Sequence, residues 1–243
     1  MQTLNIRFED GRERALRHRG TRADLGVIAQ IFEAQDYALA PLQRGAELHA
    51  LYGRIAAAGR APLILDLGAN IGASVLWFTQ TFPRAHLVAL EPARDNFELL
   101  QQNCAGLDVD ARCAAIGAAD GETRLVDPGE GEWGYRTAAT GEGERVEMVA
   151  ASRLVAEERA AGRVPFIAKI DIEGGEQALF SCDTDWVDRF PLLVIELHDW
   201  LLPRAGSSRN FLACIAGRDR DFVFRGENVF SIANDWTDGQ FRV

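Results

Sequence analysis

Residues 63–78 read LILDLGANIGASVLWF, and the fold turns on them. Leu63–Leu67 is an apolar run of strand length that carries Asp66 near its end. Gly68, Ala69, Asn70 and Gly72 follow before apolar residues recur at helical spacing. A strand, a glycine-bearing turn and a helix in that order make the first half of a right-handed parallel crossover. Small residues at the carboxyl edge of such a sheet let backbone approach a ligand without Cβ interference. The segment predicts an α/β sheet with a nucleotide-like site at its edge.

Working outward, the same alternation repeats. Strands are expected at Leu63–Leu67, His86–Glu91, Val109–Ala114, Phe166–Ile172 and Leu192–His198. Helices are expected at Ala73–Thr81, Arg94–Cys104, Ser152–Ala161 and Gly175–Phe180, and a closing strand pair at Phe222–Phe224 and Val229–Ala233. The fold class is α/β: a Rossmann-like, doubly wound, mostly parallel sheet with an antiparallel C-terminal hairpin. Residues 60–243 read as that domain, and residues 1–59 as a largely helical N-terminal extension. The extension has an alternating segment at Leu4–Phe8, a turn at Asp10 and Gly11, and a helix capped by Asp24 with Leu25, Ile28, Ile31 and Phe32 on one face. A second helix at Ala46–Ala58 ends at Gly59. This extension is a packing layer or a lid. Residues 117–149, rich in Gly, Glu and Thr, have no strong period and read as a long loop, in which Trp133 and Tyr135 are candidates to stack on an acceptor.

The 243 residues, 47% of them hydrophobic, suffice for one large domain. A net charge of -10 disfavours nucleic acid as a partner, because binding dominated by phosphate neutralisation needs a basic surface. Cys104, Cys113, Cys182 and Cys214 are scattered and read as free thiols in a reducing compartment. The first residues hold no apolar signal core, and no run of eighteen apolar residues follows, so no membrane insertion and a cytoplasmic location are expected. Oligomeric state is not encoded legibly.

Asn70 stands where a dinucleotide fingerprint has its second glycine, so pyrophosphate would lack its close-approach point. S-adenosylmethionine carries no phosphate, and an acid such as Asp66 beside a glycine turn suits its ammonium. Glu91, at the end of the next strand, is placed to accept both hydroxyl protons of a ribose, a role shared by nicotinamide and S-adenosylmethionine sites. Ala115, after the third strand, leaves room for an adenine. Lys169 and Asp171 share one face of the fourth strand and Glu196 and His198 one face of the fifth, four ionisable groups that are costly to bury without a purpose. His198 is the natural proton acceptor. Asp171, His198, Glu196, Lys169 and Glu176 are the catalytic candidates; Lys169 also reads as an ion-pair partner of Asp171 or Glu196, and Glu176 equally, like Glu173, as a helix-start acid. Asp171, Glu196 and His198 have the donor types of a divalent-metal site, but no metal is assigned from spacing alone.

DLGANIGASVLWF, ALEP, AAIGAADGETRL, FIAKIDIEGGEQALF and LLVIELHDW, in that order, resemble the FkbM family of methyltransferases. RGTRADLGVIAQIFEAQDYAL, with Asp24 and Tyr37, is similar to an N-terminal segment found in part of that family. The resemblance implies a Rossmann-like fold, S-adenosylmethionine as cofactor and O-methylation of a hydroxyl on a sugar, glycoconjugate or secondary-metabolite acceptor. It implies cofactor contacts from Asp66, Gly68, Ala69, Asn70, Gly72, Glu91, Pro92, Ala115 and Asp171, the last near the transferring methyl. The alternatives are a non-catalytic S-adenosylmethionine-binding module serving as an assembly or regulatory partner, and a nicotinamide oxidoreductase. Ionisable residues at all of 169, 171, 196 and 198 speak against the first, Asn70 against the second. IDIEGGE in place of an Asn-Pro-Pro-aromatic element speaks against methylation of a planar amine.

Overall fold

The computed structural model describes residues 1–8, 11–126, 136–138 and 143–236. Trp133 and Tyr135 lie outside the described residues. The chain opens with β1 (Gln2–Arg7) and β2 (Glu13–His18), an antiparallel hairpin, followed by α1 (Arg22–Ile28), a π-helical turn at Ala29–Glu33 and α2 (Gly45–Ala57). Then come β3 (Pro62–Leu67), α3 (Ala73–Thr81), β4 (His86–Leu90), α4 (Arg94–Asn103) and β5 (Val109–Arg112). A second sheet uses β6 (Ala115–Gly117), β7 (Gly121–Val126), β8 (Arg136–Ala138) and β9 (Glu144–Ala150). The rest is α5 (Ala151–Ala160), β10 (Val164–Ile170), α6 (Glu176–Leu179), a 3-10 turn at Asp185–Arg189, β11 (Leu192–Glu196), α7 (Arg209–Ala216), β12 (Arg220–Arg225) and β13 (Asn228–Ala233).

The main sheet has the order β12-β13-β11-β10-β3-β4-β5, parallel except at β13, which runs antiparallel to β11 and β12. The chain winds outward from β3 to β5 and then returns to β10 on the other side of β3. The carboxyl ends of β3 and β10 therefore flank the point where the winding reverses, where open α/β sheets leave a crevice for ligand. β3, β4, β10 and β11 are buried along their whole length, as strands covered on both faces must be. One face packs Leu48, Leu51, Ile55, Phe78, Phe82 and Phe166 together; the other packs Leu63, Leu65, Ile170, Leu154, Phe190 and Phe211.

Four expectations change. Asp24 does not cap α1: Thr21 does, its hydroxyl accepting from the Asp24 N–H, while the Asp24 carboxylate takes the Arg19 N–H and guanidinium. Thr21 thus supplies one half of a capping box, the Asp24 side chain turning back to Arg19 instead of the Thr21 N–H, and it begins the helix earlier than its apolar face suggests. The alternating first segment gains a partner that was not expected, because Glu13–His18 pairs with it as a second strand and buries Leu16. The third strand breaks: Ala114 N–H folds back onto Arg112 O, and Ala115–Gly117 joins the second sheet beside β9. The region read as aperiodic loop contains β7 and β9, whose Thr123, Leu125, Val146 and Val149 are buried between exposed polar residues. The alternation is there but short, interrupted by Gly and Glu.

Candidate active site

The loop after β3 is stitched to the end of β4. Gly68 and Ala69 both donate to Leu90 O at 3.0 Å, and Asn70 N–H donates to Glu91 Oε2 at 2.9 Å. Gly68 has φ 81°, and a Cβ there would lie 1.8 Å from the carbonyl oxygen of Asp171. Only glycine lets the loop lie against the strand that carries the acidic cluster. Gly72, with φ 87°, starts α3, and a Cβ on it would strike Leu100. Asn70 takes φ 48°, a left-handed conformation that Asn tolerates best among residues with side chains. Its Oδ1 is buried with no hydrogen bond in the protein, an orphaned acceptor within the loop.

Glu91 follows β4 directly, and its second oxygen accepts Ala93 N–H at 2.8 Å across Pro92. Burial raises this carboxyl to about 7, against the pull of the Ala93 and Asn70 N–H groups. Each oxygen retains acceptor capacity for hydroxyl donors. Ala115 packs in a small cluster with Ala93, Leu125 and Val146, so the third strand's continuation does come beside the Glu91–Ala93 corner.

Asp66 is fully buried beneath the loop. One oxygen accepts Ser74 Oγ at 2.5 Å, and the other lies 3.1 Å from Lys169 Nζ. Lys169 also donates to Gly68 O at 2.6 Å and stands 3.6 Å from Asp171 Oδ2. The ion pair expected with Asp171 or Glu196 is thus shared first with Asp66, its register partner on the adjacent strand. Burial opposes the ammonium, but Asp66, Tyr37 and Asp171 outweigh it and raise Lys169 further.

The structure brings Asp171, Glu176, Glu196 and His198 together and adds Glu173. His198 Nδ1 lies 2.8 Å from Glu176 Oε1, and both side chains are buried. Its Nε2 faces Glu173 Oε2 at 3.4 Å, Asp171 Oδ1 at 3.5 Å and Glu196 Oε1 at 3.6 Å. Burial works against a charged imidazole, but the Glu176 hydrogen bond and the carboxylates of Glu176, Asp171 and Glu173 hold it up to about 9. The surrounding carboxylates thus favour a proton on His198, and proton exchange with an acceptor is a property of the cluster as a whole. Glu173 and Glu196 are both pushed up, by burial and then by Asp171, with His198 pulling the other way. Glu173 sits at φ 53°, a strained backbone at the glycine turn. It lies inside IDIEGGE, so motif spacing could have found it.

Tyr37 was legible only through its segment. It is buried, stacked on Phe78 at 5.4 Å, and its phenol is raised by burial, lowered by Lys169 and raised by Asp171, Asp66 and Glu196. The N-terminal segment therefore inserts this ring into the field of the cluster. Arg225 holds the segment in place through Ala38 O at 2.9 Å and Ala34 O at 3.3 Å. Among the described residues, no helix is long and apolar enough to cross a membrane.

Among solved structures the chain is similar to monomeric WbdD, at 12% identity and TM-score 0.42 over 90% of this chain and 42% of that one. It is similar to an O-methyltransferase from Bacillus cereus in complex with SAH, at 15% identity and TM-score 0.46 over 89% and 93%. It is also similar to a methyltransferase from Geobacter sulfurreducens, at 16% identity and TM-score 0.38 over 88% and 90%. The chain spans less than half the length of the WbdD chain. No curated protein matches it. The family model described as Methyltransferase FkbM domain matches residues 66–224, from the acid of β3 into β12, and the chain belongs to the FkbM methyltransferase family.

Proposed function

We propose that the protein is an S-adenosylmethionine-dependent O-methyltransferase acting on a hydroxyl of a sugar, glycoconjugate or secondary-metabolite acceptor. The observation that carries this reading is the contact between its two halves: the Gly68 loop lies directly on the Asp171 carbonyl. A ligand cradled by the loop would abut a cluster of carboxylates able to take a proton.

The residues fit the cofactor. Glu91 has acceptor capacity for two ribose hydroxyls, the orphaned Asn70 Oδ1 suits an ammonium or hydroxyl donor, and Gly68, Ala69 and Gly72 leave the backbone bare. Pro92 and Ala115 border the corner assigned to the base. Asp66 acts from below, fixing Ser74 and Lys169 and through them the loop. When bound, S-adenosylmethionine supplies a methyl carbon on a sulfonium that leaves with the bonding pair.

On the acceptor side, an alcohol is a weak nucleophile until its proton is taken, and in-line transfer depends on position. Asp171 faces both the loop and the cluster and is assigned to the acceptor hydroxyl, with Glu196 and His198 beside it. Glu176 and Lys169 are positioning residues, orienting His198 and Asp171 respectively. Trp200, exposed on the turn that follows β11 and is closed by Leu202 N–H on His198 O, supplies a stacking surface for a ring-shaped acceptor. Residues 1–59 are taken as an extension that covers domain 60–243 and contributes Tyr37. Calorimetry with S-adenosylhomocysteine tests the reading: binding by the wild type that is lost in Asp66→Ala and Glu91→Ala supports it, and absence of binding by the folded wild type overturns it.

A further inference from the structure

The cluster around His198 gathers more acidic groups than basic ones. Asp66, Asp171, Glu173, Glu176 and Glu196 set five carboxylates against Lys169 and one imidazole. Lys169 sits at the Asp66 side, against Asp171 Oδ2, so Asp171 Oδ1, Glu173, Glu196 and the imidazole form a separate group.

His198 is oriented as a ligand is oriented. It is 1% exposed, its Nδ1 is occupied by Glu176, and among the described residues no hydrogen bond reaches its Nε2. A buried imidazole pinned by a carboxylate through one nitrogen, with the other facing carboxylate oxygens at 3.4–3.6 Å, is the arrangement that holds metal-binding histidines. The spacing agrees. One ligand atom each from Asp171, Glu196 and His198 can be chosen within 4.8 Å of one another, and Nε2 stands 3.5 and 3.6 Å from the two carboxylate oxygens. Those distances are long for charge-assisted hydrogen bonds. Two ligands each about 2.1 Å from a shared cation, at angles between about 90° and 110°, stand roughly 3.0–3.4 Å apart, so the imidazole is close to ligand spacing from each of the two carboxylates.

We propose that Asp171, Glu196 and His198 bind a divalent cation of the magnesium or manganese class, with water and the acceptor oxygen as its remaining ligands. Two carboxylates with one imidazole suit such a hard to borderline ion, and two of the three side chains retain some solvent access for exchange. If the O-methyltransferase reading also holds, the cation binds the acceptor hydroxyl and makes it more acidic. Asp171 would then meet the acceptor hydroxyl through the cation rather than take its proton, and the O–H bond would break with the proton passing to Glu173. The freed oxygen pair forms the O–CH3 bond as the carbon–sulfur pair departs to sulfur.

The test is binding of Mn2+ to the metal-stripped full chain, followed by electron paramagnetic resonance of free Mn2+ and by calorimetry, with S-adenosylhomocysteine binding measured in parallel. One equivalent should bind to the wild type. Glu196→Gln should lose binding at concentrations that saturate the wild type while keeping S-adenosylhomocysteine binding as proof of folding, and Asp171→Asn should lose Mn2+ binding as well. Glu176→Gln, which frees the imidazole to turn, should weaken Mn2+ binding about 10- to 100-fold. A wild type that binds S-adenosylhomocysteine but no Mn2+, or a Glu196→Gln chain that binds Mn2+ as tightly as the wild type, overturns the cation site. Mn2+ binding without S-adenosylhomocysteine binding upholds it and overturns the cofactor reading instead.

Discussion

The Gly68 loop with Glu91 and the cluster around His198 share one edge of the sheet but are built differently. In the first, backbone donors meet one acid whose two oxygens are each already engaged, by Asn70 and Ala93. In the second, carboxylates crowd an imidazole at distances too long to satisfy either. A cradle of backbone is organised by the fold itself and stands ready when empty, whereas a charge cluster takes its geometry from whatever proton, cation or acceptor it receives. The two should therefore fail separately when mutated. The largest separation is expected from Asp171→Asn: methyl transfer should fall ~100- to 10,000-fold, the usual range for losing a group that helps deprotonate the acceptor hydroxyl, with S-adenosylhomocysteine affinity changed far less. Equal losses in turnover and cofactor binding would merge the two halves into one site.

Lys169 is where the halves are joined, and its replacement probes the join through stability. Lys169→Met leaves Asp66 buried without its cation, which for a buried pair costs about 3–5 kcal/mol. Urea unfolding should show that loss, and the double variant Lys169→Met/Asp66→Asn should recover much of it, because no uncompensated charge is then left inside. A double variant no more stable than the single one would mean that the Lys169 bond to Gly68 O, at 2.6 Å, matters more than the ion pair.

This contrast also explains what could be read from the chain before folding. The loop, Glu91 and the order of strands were legible because each depends on local periodicity and on a turn chemistry written in consecutive residues. IDIEGGE and ELH announced a cluster for the same reason. The Asp66–Lys169 pair was not legible: it depends on which strands are neighbours and on the register that sets Lys169 opposite Asp66. Thr21 rather than Asp24 as the cap lay three residues before the apolar face that drew attention to the helix. β7 and β9 hid because their buried residues are few and separated by Gly and Glu, so the second sheet emerges only from pairing between distant segments. The surroundings of His198 were not legible for a related reason: four acids from two strand ends, a turn and a helix start converge on it only in the folded chain.

On the cofactor side the expected effects are smaller. Glu91→Gln removes the charge that ribose hydroxyls would meet while keeping one acceptor for backbone. A hydrogen bond to a charged group contributes about 1.5–3 kcal/mol, so affinity for S-adenosylhomocysteine should fall roughly 10- to 100-fold with turnover at saturation nearly intact. A loss confined to turnover would place Glu91 with the acceptor cluster instead.

The pH dependence of binding is the finest division between the halves. Glu91 is raised from 4.5 to about 7 by burial, so the empty folded chain holds that proton where the unfolded chain has lost it. Between those values the folded state binds more protons, and this group's contribution to stability is full below 4.5 and declines as pH rises through about 7. Ribose hydroxyls donate to the carboxylate and favour its charged form, which reverses the preference in the complex. Affinity for S-adenosylhomocysteine should accordingly rise with pH up to about 7 and level off above it, by no more than about tenfold per pH unit for a single proton. His198, Glu173 and Glu196 titrate in the neighbouring cluster, so the comparison is with Glu91→Gln, which keeps them all. The rise should vanish in that variant and persist in Glu196→Gln; the reverse pattern would show that the cofactor senses the charge of the acceptor cluster rather than that of its own cradle.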